Sequence, residues 1–157
     1  MSIDTGPVIR AISAGDHADW LELWRAYIVF YEASVPDDVT AFTFDRLTDD
    51  EAAVYGAIAR DASGRAVGIV HWLTHPATWS RVPYVYLEDL YVLPSARGRG
   101  VGKALMEWLR NAMRAEGWAR LYWMTREDND RARKLYDRFA QTDGFVRYMI
   151  KQRQHAA

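Results

Sequence analysis

Cysteine is absent from the 157 residues. That removes a disulfide frame, a thiol nucleophile, a cysteine-based metal site and a cysteine acyl intermediate together. Lysine is nearly absent too: only Lys103, Lys134 and Lys151 occur, so the basic residues are almost all arginine. The formal net charge is −1, which leaves no overall basic footprint, and no nucleic-acid partner is expected. No apolar run approaches membrane-spanning length, and the opening MSIDTGPVIRAIS has no apolar segment of signal-peptide type. The expectation is therefore a cytoplasmic protein without a membrane partner. The four histidines, His17, His71, His75 and His155, are scattered. No metal-ligand spacing exists among them, and no metal is expected. His71, inside a strand, reads as a satisfied core residue.

What is present is an ordinary globular composition, 50% hydrophobic and 26% charged, in a length that suits one domain, 1–157, with a sizeable core. Val8 to Ile12 reads as a first strand. Asp16 can cap a helix to about Tyr31, with Trp20, Leu23, Trp24, Tyr27, Ile28 and Tyr31 at helical spacing. Pro36 breaks the chain, and Asp37 or Asp38 starts a short helix carrying Phe42 and Leu47. Val54–Arg60 and Ala66–Leu73 read as strands joined by the turn Asp61-Ala-Ser-Gly64. A polar loop, His75 to Pro83 with Trp79, leads into a strand from Tyr84 that Pro94 stops. A helix then runs from Val101 to about Glu116, with Val101, Leu105, Trp108, Leu109 and Ala112 on one face and Gly117 at its end. Leu121 to Thr125 is a further strand. Asp128 or Asn129 caps a last helix with Ala132, Leu135, Tyr136 and Phe139 on one face, and Phe145–Ile150 closes the sheet. The order predicts an α/β fold: a single mixed, mostly antiparallel sheet flanked by helices.

The junction between the long strand and its helix reads Arg97-Gly98-Arg99-Gly100-Val101-Gly102-Lys103. Its glycines leave backbone N–H groups uncovered where a helix has unpaired donors, and Arg97, Arg99 and Lys103 add positive charge. This is an anion site suited to phosphate; an ordinary glycine-rich turn with solvated arginines is the alternative. A Walker loop is excluded, because its first glycine and its Ser/Thr would fall on Arg97 and Ala104. The dinucleotide fingerprint fails because its third glycine would fall on Lys103.

The pattern that does fit is R-x-x-G-x-G (Arg97, Gly100, Gly102) after an LYV strand. Here the sequence resembles the GNAT superfamily of N-acetyltransferases, and the element order extends the resemblance over nearly the whole chain. Asn129-x-x-Ala132-x-x-Leu135-Tyr136, followed by Gly144-Phe145, resembles the superfamily's second motif. Its Gly-Phe falls eight residues after Tyr136 instead of the usual four, about one helical turn more. The LEDLYV strand and the Tyr31-Glu32 pair resemble the small polyamine, diamine, thialysine and histone-type members.

The resemblance implies the GNAT acyl-CoA N-acyltransferase fold and acetyl-CoA as co-substrate. Leu90, Tyr91 and Val92 would pair with the pantetheine arm, Gly98 to Lys103 would cradle the pyrophosphate, and Asn129 and Ala132 would lie beside the cofactor. It implies Tyr136 as the acid that protonates the leaving thiolate, against the plainer reading of a Tyr on an apolar helix face. It implies Glu88 as the group contacting the acceptor amine, with Asp89 as a structural hydrogen-bond acceptor. Adjacent strand residues face opposite sides unless a bulge intervenes, so these two roles can also be exchanged. Tyr31 and Glu32 would help hold the acceptor, and an amphipathic helix end explains them equally well. The implied activity is direct acetyl transfer to a primary amine, a small cationic one, by a homodimer. Rivals are a protein N-terminal, lysine or antibiotic acetyltransferase on the same fold, and a non-catalytic acyl-CoA-binding module.

Overall fold

Strand composition and helix periodicity resolve into eleven short stretches of regular structure in the computed structural model, which describes residues 6–152; His155 lies outside them. Two compact units result, Met1–Met124 and Thr125–Ala157. The first holds β1 (Val8–Ala11), α1 (His17–Phe30), α2 (Asp37–Leu47), β2 (Val54–Arg60), β3 (Ala66–Ala77), β4 (Ser80–Val92), α3 (Val101–Glu116) and β5 (Arg120–Trp123). Single turns of 3-10 helix precede α1 and follow β4. The second unit holds α4 (Asp130–Tyr136). Among the described residues no helix is long and apolar enough to cross a membrane.

The five strands lie in sequence order, antiparallel from β1 to β4, with β5 parallel to β4. This is the mixed, mostly antiparallel sheet that the sequence predicts. Strand alternation sends His71 and Trp72 of β3 to opposite faces. His71 packs against Trp20 and Trp24 of α1, whereas Trp72 packs against Trp108 of α3. One face is thus covered by α1 and α2, the other by α3. Gly68 of β3 permits close approach of α3, for a Cβ there would stand 3.1 Å from Leu105 and 3.2 Å from Val101.

Two expectations are corrected. Residues His75 to Pro83 are not a loop: β3 and β4 continue past them as one long hairpin, paired to Ala77↔Ser80, and reverse at Thr78 and Trp79. Pro76 and Pro83 fall where the register is interrupted, so neither removes a regular ladder bond. Trp79 stands at the tip, 90% exposed. The second correction is at Phe145–Ile150, which forms no strand; Phe145, Tyr148 and Ile150 are almost wholly exposed. Strand composition expresses itself only where an edge is paired, and among the described residues β5 pairs with β4 alone.

Asp16 does not cap α1 by a side-chain bond. Its carboxylate is buried and receives Arg10 at two 2.6 Å bonds, Arg60 at 2.8 Å and the Ser13 amide at 2.9 Å. The hydrogen bonds from Arg10, ahead of those from Ser13 and Arg60, hold its pKa far below the usual carboxylate range. Such a depressed group stabilises the fold fully above the unfolded value, about 3.9, and ceases to do so as pH falls through the folded value. Asp16→Asn should therefore cost roughly 1–3 kcal/mol at pH 7 by removing the buried charge that the part-exposed Arg10 and Arg60 surround, while Arg60 keeps Asp19. In urea denaturation its deficit against the wild type should narrow between pH 7 and pH 3.

Candidate active site

The site is built around one unmatched residue in β4. His71 pairs with Asp89 and the next residue, Trp72, pairs with Leu87, so Glu88 has no partner on β3. This bulge turns Asp89 to the α1 face, where the unbroken alternation from Leu87 would have pointed it at α3. There Tyr27 donates to Asp89 Oδ1 at 2.7 Å, and His71 Nδ1 lies 3.0 Å from Asp89 Oδ2. Trp20 Nε1 donates to His71 Nε2 at 2.9 Å. An indole N–H can only donate, so Nε2 holds the lone pair and Nδ1 carries the proton toward Asp89. Trp20, His71, Asp89 and Tyr27 are thus one continuous, internally satisfied chain of hydrogen bonds.

Glu88 keeps an open path to solvent. The density of protein around its carboxyl group, and then the negative charge of Asp89, push its pKa above the ordinary value. Asp89 is the hydrogen-bonded neighbour, and Glu88 is the carboxylate that faces solvent.

Pairing of β4 with β5 ends at Leu87↔Trp123, while pairing with β3 continues to Gly68↔Val92. From Glu88 onward, therefore, no strand pairs with the second edge of β4 among the described residues. Leu93 donates to Val67 across the β3 side at 2.9 Å. Antiparallel ladders alternate, so Leu90 and Val92 point their N–H and C=O groups to the unpaired edge and Tyr91 points its own to β3. Arg97 Nε donates to the Val92 carbonyl at 3.1 Å.

The glycine loop follows at once. Gly98 and Gly100 have φ of 76° and 79°, the left-handed region that favours glycine, and a Cβ at either would meet nothing within 4 Å. Gly100 is the N-cap of α3, so the first amides of a 16-residue helix open beside an uncovered backbone. Val101 is buried, which leaves only its backbone available, and Gly102 lies in the first turn. Arg99 and Lys103 are exposed, Lys103 standing 3.6 Å from Glu107. Arg97 is more enclosed: its guanidinium carbon sits 5.3 Å from the Phe30 ring centroid and 5.8 Å from that of Tyr91.

Tyr31 ends α1, its ring 5.0 Å from that of Tyr27, which bonds Asp89. Glu32 has φ 52°, the only positive φ at a non-glycine residue among those described. With Ala33 donating to Ile28 and Glu32 to Val29, it fills the helix-ending place that glycine usually takes. In the second unit Asn129 caps α4, accepting from the Ala132 amide at 3.4 Å and donating to Thr125 at 3.3 Å. Tyr136 ends α4 half-buried, and helical bonding continues past it to Ala140. The extra residues of the second motif therefore lie in the exit of that helix.

Sequence reasoning missed Trp20 and Tyr27 as partners of the site, since contacts 51 and 62 residues apart leave no local pattern. It also missed a pair on the distal half of the same face. Tyr122 of β5 is in register with Tyr86, and its hydroxyl lies 2.8 Å from His75 Nε2. Burial pushes the Tyr122 phenol above its ordinary value; Arg120 opposes this and the Glu88 charge adds to it. Tyr27→Phe should leave Asp89 Oδ1 short of a donor and cost about 1–3 kcal/mol in urea denaturation.

Similarity to known proteins follows the same architecture. The Acetyltransferase (GNAT) family matches residues 19–140. The D-amino-acid N-acetyltransferase of Saccharomyces cerevisiae is 36% identical over 142 residues, 90% of this chain and 88% of that protein. An aminoglycoside N(6')-acetyltransferase of Klebsiella aerogenes is 32% identical over 126 residues, 75% of this chain and 74% of the other. Among solved structures, AAC(6')-Iy in complex with the bisubstrate analog CoA-S-monomethyl-acetylneamine has a TM-score of 0.78 at 22% identity, covering 94% of this chain and all of that one. At that identity the likeness concerns the fold. The chain is an N-acetyltransferase and belongs to the Acetyltransferase (GNAT) family, whose members use acetyl-CoA.

Proposed function

We propose that this enzyme transfers the acetyl group of acetyl-CoA directly to a small primary amine bearing a second positive charge, a diamine, polyamine or basic amino acid. The observation that carries this reading is Glu88. It is a carboxylate with a raised pKa, standing at the bulge where the unpaired edge of β4 begins. The edge groups of Leu90 and Val92 suit the amide-bearing arm of acetyl-CoA, which would add to β4 as a strand does. The uncovered loop Gly98 to Lys103 and the first turn of α3 suit its pyrophosphate.

In the reaction, Glu88 accepts a proton from the substrate ammonium, and the freed nitrogen attacks the thioester carbonyl. The tetrahedral adduct collapses to the amide and expels the CoA thiolate, which takes a proton from Tyr136, and the second proton of the nitrogen returns to the phenolate. The place of Tyr136 in the second sequence motif supports the assignment. Glu32, Asp37 and Asp38 are exposed acids on and beside α1 and α2 that favour a cationic acceptor. We place residues 1–157 in one functional domain, in the cytoplasm, as a homodimer, in keeping with the small polyamine, thialysine and histone-type enzymes that the motifs resemble.

A second reading, an amino acid as acceptor, is favoured by the 36% identity to the yeast D-amino-acid enzyme. Free-thiol release with a panel of diamines, neutral monoamines, D- and L-amino acids and aminoglycosides separates the two. The first expects diamines to exceed monoamines of equal length in kcat/KM at low salt; equal values would sink it.

The base and the acid have distinct signatures. Activity needs Glu88 ionised, so the acid limb of kcat/KM should lie above the ordinary Glu value of about 4.3 and vanish in Glu88→Gln. Tyr136→Phe should lower kcat by about 100-fold with acetyl-CoA affinity little changed. Normal turnover by that variant would make Tyr136 a packing residue.

A further inference from the structure

Beyond α1, the sheet face that carries Asp89 continues as a row of rings. His75 and Tyr84 face each other across β3 and β4, Tyr86 and Tyr122 across β4 and β5. His71 and His75 lie an even number of places apart on an uninterrupted stretch of β3, so they share a face. The ring centroids of Tyr86 and Tyr122 are 5.1 Å apart, and those of His75 and Tyr122 are 5.8 Å apart, edge to face. Trp20, Trp24 and Tyr27 cover the His71 and Asp89 end, whereas Tyr122 at the other end is exposed.

Hydrogen bonding fixes what Tyr122 offers. His75 Nδ1 lies 2.8 Å from the Pro76 carbonyl, which can only accept, so the ring proton is on Nδ1. In the neutral ring Nε2 is then a lone pair, and the Tyr122 hydroxyl spends its one proton on it. The phenol oxygen is left with lone pairs only. It can receive a donor and has nothing to give a carboxylate.

We propose that Tyr122 is a specificity-determining residue of the acceptor site, its oxygen receiving an N–H or O–H at the far end of the amine while the near end meets Glu88. The proposal rests on the reading of Glu88 as the acceptor-side carboxylate. Tyr122 stands in register with Tyr86, two places before Glu88 and one pair before the edge of β4 opens, so a short chain can reach from one to the other. The aromatic faces of Tyr86 and Tyr122 suit the methylenes between. The acceptor class is thereby narrowed to amines whose far group donates, such as an ammonium or hydroxyl, over those ending in a carboxylate.

The test measures kcat/KM at pH 8 for 1,4-diaminobutane, butylamine and 4-aminobutanoate. It uses the full-length wild type, Tyr122→Phe and His75→Phe. Deleting the phenol oxygen should lower kcat/KM for the diamine by about 10-fold, the worth of one hydrogen bond to a charged group, while butylamine changes by less than about 2-fold. The acetyl-CoA KM should stay as it was. His75→Phe returns the proton to the hydroxyl and should reduce the discrimination against 4-aminobutanoate. A wild type that prefers the diamine, with a Tyr122→Phe variant that keeps the same preference, overturns this inference and leaves the proposed function standing. Equal loss on all three acceptors makes Tyr122 structural and also overturns it. A wild type with no preference for the diamine removes the proposed acceptor class and this inference with it.

Discussion

One unmatched residue decides how the centre of this sheet is used. Because Glu88 is extra, β4 changes the face of every side chain beyond it relative to those before it. Without that extra residue Asp89 would point at the α3 side, toward Trp72, Leu105 and other largely apolar groups, away from Tyr27 and His71. With it, Asp89 meets Tyr27 and His71, and the chain of bonds continues to Trp20. The bulge also coincides with the end of β5 pairing. A carboxylate with a raised pKa and an unpaired stretch of β4 edge thus meet at the same local irregularity.

The protein holds two enclosed carboxylates and satisfies them differently. Asp16 is surrounded by Arg10 and Arg60, which neutralise it; its role is to tie β1, β2 and the start of α1 together. Asp89 is satisfied by a phenol and a neutral imidazole, groups that hydrogen-bond its oxygens without cancelling its charge. That surviving charge acts on Glu88, whose carboxyl group is pushed up by burial first and by Asp89 second. Exchanging the two arrangements would lose the effect, since a guanidinium beside Asp89 would favour ionised Glu88 and make it a weaker base.

Aromatic side chains divide along the same line. Those of α1 stack on one another and seal the His71 end, with Trp20 wholly buried and parallel to Trp24 at 5.6 Å. Toward the end of α1 they become more exposed, and Phe30 and Tyr31 stand half in solvent beside Arg97. The ring row of β3, β4 and β5 is exposed at Tyr122 and pairs its polar atoms locally. Core packing and the exposed ring row lie on one continuous face, separated by where α1 stops.

The sequence by itself determined what depends on neighbours in the chain. The period change at Val101, the glycines with open φ at Gly98 and Gly100, the Asn129 cap and the order of elements are local properties, and local chemistry suffices to read them. It also set Glu88 beside Asp89, but which of them turns to a partner was open, because strand parity cannot be read through a bulge that only β3 reveals. The extension of the hairpin through His75 to Pro83 was hidden behind two prolines, whose places in the register are visible only once the strands pair. The strand expected at Phe145–Ile150 failed for the converse reason: alternation and β-branched residues express a strand only where an edge receives them. Tertiary structure alone brought Trp20 to His71, Tyr27 to Asp89 and His75 to Tyr122, since each pair joins groups dozens of residues apart whose hydrogen-bonding needs are met only after the sheet is closed by its helices.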